Sequence, residues 1–349
     1  MKKARKKVTL QHVAQQCGVS TATVSRVIHN NGFVSQDRKD LILSVIKSTG
    51  YTFKSRAGDC ASEIRSSQRR KVTLLWTARQ ELQMSTAGRD MMQGISQALR
   101  QHNITMTLEY VDAATPNTEN LHDLDVEGVI VHGPPPPSSY AKSLKKMPVV
   151  WLLQQGDFSY GDRVQTDHHA IGRLSAQYLM DAGLTHMACM SGFSNFTHHF
   201  AELRAESFLA CLKKNNVQVD VLSYDMDDQK LNPVDVQREA ASDLVARFVE
   251  LKPRPSALFV ASEIGPYVHL ELVNRGIVPM QDVCLIAGDL NICAQFALSP
   301  KPLAWRVHSQ KIGYQAVEML LARVKNRELP QLTTYVKPSL HVPEQVVPN

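Results

Sequence analysis

Between Gly18 and Ser35 the chain reads GVSTATVSRVIHNNGFVS, so that Ser20, Thr21, Thr23 and Ser25 crowd four hydroxyls around one cation, Arg26. Such side chains compete with the backbone for hydrogen bonds and gain little inside an apolar core. Their chemistry is directed outward, toward phosphate oxygens and the edges of bases. Thr21, Ala22 and Ser25 are short enough to allow close approach to a duplex, and Arg26 is long enough to reach a guanine or a phosphate.

Other reactive constellations are missing from the sequence. The His pairs at 168–169 and 198–199 suggest a metal at first sight, but adjacent residues point to different faces and no third ligand follows at metal spacing. No metal is expected. Cysteines at 17, 60, 189, 211, 284 and 293 form no CxxC pair and are expected as free thiols. No GxSxG elbow, P-loop, HExxH or GxGxxG after the first strand is present, so neither catalytic residues nor a cofactor is expected.

Three short helices are needed to hold the hydroxyl cluster. Thr9 caps a first, with Leu10, Val13, Ala14 and Cys17 on one face; Ser20 caps a second, with Val24, Val27 and Ile28; Ser35 caps a third, with Leu41, Ile42, Val45 and Ile46. Gly18 makes the turn between the first two, which predicts a helix-turn-helix whose second helix enters the major groove. The charge agrees with that placement. Residues 1–71 hold 15 Lys and Arg against 4 Asp and Glu, whereas the rest of the chain holds 24 against 29. A basic head gathers phosphates by counterion release, and an acidic body resists lying along them.

After the head, 51–71 is polar, basic and weakly patterned, as in a linker. Beyond it, apolar runs such as VTLLW (72–76), GVIVH (128–132), VVWLL (149–153), ALFVA (257–261) and VCLIA (283–287) alternate with helical patterns. This is the rhythm of parallel sheets covered on both faces, and its length predicts two doubly wound lobes. PPPP (134–137) and 156–162 are expected as loops. The resulting division is a helix-turn-helix head over 1–50, a hinge over 51–71 and a two-lobed α/β body over 72–349. No run of about 18 apolar residues appears, and MKKARKK leads into a polar helix rather than an apolar leader. A cytoplasmic protein with no membrane contact is expected.

The segment VTLQHVAQQCGVSTATVSRVIHNNGFVS, followed by Gly50 and Tyr51, resembles the DNA-binding head of the LacI/GalR bacterial transcription regulators. Thr9, Val13, Ala14, Gly18, Val19, Ser20, Thr23, Val24, Ser25, Arg26 and Val27 carry the likeness, while His12, Cys17 and His29 depart from it. YLMDAGLTHMACMSG (178–192) and GIVPMQDVCLIAGD (276–289) resemble segments of the family's body. The resemblance implies a homodimer reading a pseudo-palindromic operator in double-stranded DNA, with a body like periplasmic sugar-binding proteins. It places Thr9, Ser20, Thr21, Ala22, Thr23, Ser25, Arg26 and His29 at the DNA.

The family's linker folds on the operator into a hinge helix with a Leu wedge. Here Lys54, Arg56 and Cys60 occupy that region, the usual Pro and Asn are absent, and Gly58 disfavours a helix by about 1 kcal/mol relative to Ala. Cys60 is a smaller wedge than Leu, so contact leans on the basic residues. In the body, the family's effector Arg falls on Arg204, within RAESF, where Ser207 stands for Gly. Asp289 matches the first Asp of the family's G-[FY]-D, and Ser262 with Glu263 replaces its usual Asn-Asp. His132, ending GVIVH, is a further candidate contact. One Arg with a few polar acceptors suits a polyhydroxylated or anionic small molecule. The same residues also fit an interlobe salt bridge from Arg204 to Glu202 or Asp289, and a regulator whose body serves only dimerisation or partner contact. A solute-binding protein or an enzyme with an incidental head is the third alternative.

Overall fold

The computed structural model describes residues 9–28, 34–49, 70–77, 86–111, 126–153, 160–193, 198–225, 233–289 and 298–343. Two compact units emerge, Met1–Arg70 and Lys71–Asn349.

In the first unit, helices α1 (Leu10–Gln16), α2 (Thr21–Ile28) and α3 (Gln36–Thr49) pack on one another. Val13, Ala14, Cys17, Val24, Val27, Ile42 and Ile46 are its buried residues, with Leu10, Val19, Val34 and Val45 packed around them. Leu41, expected in that core, is 47% exposed. Ile42 and Ile46, one turn apart, already fill the stripe that faces α1 and α2, and Leu41 lies about 100° off it. Gly18 closes α1 at φ +61°. Its N–H donates to the Gln15 carbonyl and the Val19 N–H to the Ala14 carbonyl, a paired C-terminal cap that turns the chain directly into α2.

Among its described residues the second unit contains two six-stranded sheets. The first is built from β1 (Lys71–Trp76), β2 (Thr105–Tyr110), β3 (Gly128–His132), β4 (Val149–Leu152), β5 (Asp162–Thr166) and β11 (Thr333–Val336), in the order β11-β5-β4-β3-β1-β2. The second contains β6 (His186–Phe193), β7 (Gln218–Asp225), β8 (Ala257–Val260), β9 (Cys284–Ala287), β10 (Leu303–Arg306) and β12 (Ser339–His341), in the order β12-β10-β9-β8-β6-β7. Among the described residues all strand pairings are parallel except β10 with β12. Central strands bury both faces: Ile130 joins one core, while its neighbours Val129 and Val131 join another.

Helices α4 (Thr86–Gln101), α5 (Ser138–Leu144) and α10 (Ser309–Lys325) belong to the first lobe, and α6 (His168–Asp181), α7 (His198–Lys214), α8 (Pro233–Glu250) and α9 (Gly265–Asn274) to the second. The chain passes between the sheets three times, through Asp167, through Val307 and His308, and through Lys337 and Pro338. These passages are tied together: the Asp167 N–H donates to the Val336 carbonyl at 3.4 Å, and His308 Nε2 shares a hydrogen bond with Ser339 Oγ at 2.9 Å.

Asp162, expected in a loop, instead opens β5 and is 1% exposed. Arg323 compensates it through Nε at 3.0 Å and Nη2 at 2.6 Å, and the Leu332 N–H donates to it at 2.9 Å. A charged residue at this strand position is therefore buried with its partners rather than exposed in a turn.

Candidate functional site

In the head, Ser20 Oγ accepts the Thr23 N–H at 3.1 Å and caps α2. Thr23 Oγ1 shares a 2.9 Å hydrogen bond with Ser20 Oγ and is half-buried, so it braces the cap rather than facing outward. Ser20, Thr21, Ala22 and Arg26 are exposed, and Ser25 is half-buried beside them. Thr9 is exposed too, and its Oγ1 accepts the His12 N–H at 3.4 Å as the cap of α1. The face of α2 away from Val24 and Val27 is thus short, polar and cationic. His29, Lys54, Arg56 and Cys60 lie outside the described residues, as does the question of a hinge helix.

In the body, buried polar groups gather where strands end. On the first sheet His132 ends β3, and Gln165 and Thr166 end β5, with β4 between them. Two strand spacings of about 4.8 Å put the ends of β3 and β5 roughly 10 Å apart. On the second sheet Ser191 lies near the end of β6, Ser262 follows β8, Asp289 follows β9 and Arg306 ends β10, so neighbouring strands carry these residues in a row. His132 Nδ1, Gln165 Oε1, Thr166 Oγ1, His168 Nε2, Ser191 Oγ and Arg306 Nε are buried and have no hydrogen-bond partner among the described residues. Native interiors pair nearly all such atoms, so their concentration at the strand ends marks a site.

Arg204, on α7 and 4% exposed, organises the second lobe's share. Its Nε donates to His168 Nδ1 at 3.1 Å and its Nη1 to the Ala261 carbonyl at 3.1 Å, while Nη2 lies 3.5 Å from Asp289 Oδ2. Burial works against the charge of Arg204, and Asp289 and Glu263 support it. Burial, then the Arg204 charge, holds His168 well below the usual imidazole range. The His168 ring stacks on Phe200 at 4.5 Å between centroids. Ser262 Oγ accepts the Gly192 N–H at 3.0 Å.

Ser207, the departure within RAESF, donates to the Leu203 carbonyl at 2.7 Å and shares a 2.8 Å hydrogen bond with His169 Nδ1. Across from it, Gly172 allows α6 and α7 to touch: a Cβ there would stand 2.0 Å from the Arg204 carbonyl oxygen. On the first lobe, burial pushes His132 down to about 4, and its ring meets Trp76 edge to face at 4.3 Å.

The structure thus places Arg204 against Asp289 and against the Ala261 carbonyl, next to Ser262 in the chain, while His132 lies at the end of a strand of the other sheet. Arg204 does pair with Asp289, but within the second lobe rather than between lobes, because α7 and the residues after β9 belong to the same sheet's lobe, whereas Glu202 lies 3.7 Å from His199 Nδ1. His168, Phe200, Ser191, Gln165, Thr166, Arg306 and Trp76 were not legible as site residues, and only the HH doublet at 168–169 offered a signal. Among the described residues no group of three or more His, Cys, Asp or Glu is placed to hold a metal ion. No described helix is long and apolar enough to cross a membrane.

Residues 9–53 match the family model for bacterial regulatory proteins of the lacI family, and residues 176–343 match a periplasmic binding protein-like domain. The chain therefore joins a lacI-family helix-turn-helix head to a periplasmic binding protein-like body. It is 24% identical over 345 residues to the ribose operon repressor of Escherichia coli (strain K12), covering 95% of this chain and 98% of the relative. In fold it is similar to the lac repressor dimer bound to operator and the anti-inducer ONPF, with a TM-score of 0.65 at 17% identity over 96% of this chain and 98% of the other. A complex of the transcriptional regulator CelR with cellobiose gives a TM-score of 0.65 at 20% identity, with the same coverages.

Proposed function

We propose that the protein is a cytoplasmic, homodimeric transcription repressor that binds a pseudo-palindromic operator through α2 and releases or grips it in response to a small-molecule effector held between the two lobes. The head carries this reading: the lacI-family match covers the three helices, and the outward face of α2 is the polar, Arg-bearing surface that a major groove accepts. Thr21, Ala22, Ser25 and Arg26 face the bases in this scheme, Thr9 and Ser20 contact phosphates, and Lys54, Arg56, His29 and Cys60 extend the contact beyond α2.

The effector would be a sugar or a related metabolite. Ribose and cellobiose, which appear in the names of similar proteins, are the first candidates. Support comes from the unpaired buried atoms at the strand ends, which a hydroxyl-rich molecule would satisfy. A body serving dimerisation alone has no use for that arrangement. Arg204 and Asp289 would grip the ligand from one lobe and His132 would meet it from the other. An effector shifts operator affinity only by binding one lobe arrangement better than another.

The test is a selection of bound fragments from random and genomic DNA by the intact protein, repeated across a salt series. A palindromic motif, with log affinity falling by about 0.9 per neutralised phosphate for each log unit of salt, is expected. Binding without sequence preference would overturn the reading. Addition of ribose or cellobiose to the selected complex then tests the body.

A further inference from the structure

The histidine doublet at 168–169 splits into two different environments. His169 is tied to Ser207 across the α6–α7 contact. His168 is 4% exposed and sits in the first turn of α6, immediately after the chain has left β5 for the second lobe. Its Nδ1 accepts from Arg204 Nε, which obliges a neutral ring to carry its proton on Nε2. That Nε2 is buried and has no partner among the described residues.

His269 provides the internal contrast. There Nε2 lies 2.7 Å from the Pro300 carbonyl, so the proton points at an acceptor and the unpartnered Nδ1 is only a lone pair. At His168 the unpartnered atom is the one that bears hydrogen. Buried N–H groups without an acceptor are rare in folded proteins and need an explanation. Stacking on Phe200 fixes the ring plane, and Arg204 fixes its rotation, so the free N–H is held in one direction.

We propose that His168 is a specificity-determining residue of the effector site, donating from Nε2 to a hydroxyl or carbonyl oxygen of the ligand while its Nδ1 positions Arg204. This rests on the effector reading given above. It assigns one member of the doublet a role in small-molecule recognition, and it makes Phe200 the wall that keeps the donor aimed.

The test uses the full chain and calorimetric titration with D-ribose, cellobiose and a set of neutral pentoses, hexoses and nucleosides. His168→Phe keeps a ring to stack on Phe200 and removes both nitrogens; His168→Gln returns an amide donor. For the sugar that binds the wild type, H168F is expected to bind roughly tenfold more weakly, and H168Q to recover part of the loss. Monodeoxy analogues of that sugar separate recognition from scaffolding. If His168 reads one oxygen, the analogue lacking it loses less affinity on going from wild type to H168F than the analogues that keep it, any loss common to all of them reporting the displaced Arg204, whereas a purely structural defect weakens every analogue equally. Equal binding of the sugar by wild type and H168F, or a uniform loss across the analogues, overturns the assignment and leaves the effector reading standing. A wild type that binds none of the probes overturns both.

Discussion

The head and the body place their polar side chains by opposite rules. On α2, Ser20, Thr21 and Arg26 lie at the surface over a core of aliphatic residues. In the body, Ser191 and Ser262 are buried near strand ends, and Arg204 and His168 are buried on helices α7 and α6. The difference follows from the size and charge of what each region is proposed to meet. A duplex is large and polyanionic, so a protruding face of short polar groups suffices and salt competes with it. A metabolite is small, so recognition requires surrounding it, and the groups that read it must tolerate burial before it arrives.

Reversing the rule in the head should have the largest effect. Val24→Asp puts an unpaired carboxylate where the side chain is 0% exposed, in a unit with a small core. Operator binding should vanish in an anisotropy titration, while sugar binding by the body persists; loss of both would show that the units do not fold independently. The corresponding reversal in the body removes a buried partner. Asp162→Ala removes the carboxylate from Arg323, leaving its charge only the Arg327, Leu329 and Pro330 carbonyls, and should cost the body about 3 kcal/mol, read as a lowered denaturant midpoint with the head's helical signal unaffected.

Acid should separate the two regions next. The folded value of His132 lies near 4, below its unfolded value of about 6.5, so the stability it contributes is present in full above 6.5 and is lost as pH falls toward 4. About 3 kcal/mol is at stake for that group. His132→Phe should flatten the acid limb of the body's stability profile, and an unchanged slope would assign the loss to other groups.

Smaller effects sharpen the head's side of the comparison. Arg26→Ala should remove roughly 1–3 kcal/mol of discrimination at one operator position if the guanidinium reads a base, or lower the salt slope by about one if it binds a phosphate. Ser20→Ala removes the oxygen that accepts the Thr23 N–H and caps α2, and should lower head stability by about 1 kcal/mol, seen as a shifted helix melting curve.

The two regions also differ in how much the sequence discloses. Caps, the Gly18 turn and the aliphatic stripe of the head are local signals, readable within a few residues. Strands such as β3 and β8 are legible because burial on both faces makes them continuously apolar. β5 was not, because the buried Asp162 depends on Arg323, which lies 161 residues away. The site divides in the same way. Arg204, Ser262 and Asp289 became candidates through their resemblance to a family pattern, whereas the role proposed for His168 rests on a contact across α6 and α7 that no spacing in the chain announces.

The three passages between the sheets bear on how the body is made. Met91, Ile95 and Leu99 of α4 share a core with Ile312, Ala316, Val317 and Leu320 of α10, and β11 completes the same sheet from residues 333–336. During synthesis the first lobe therefore emerges with an apolar helix face that stays uncovered until the second lobe has been translated. Neither lobe corresponds to a continuous fragment. A nascent chain stalled near residue 300 would present that face to the cell, where it becomes a target for chaperones or for aggregation.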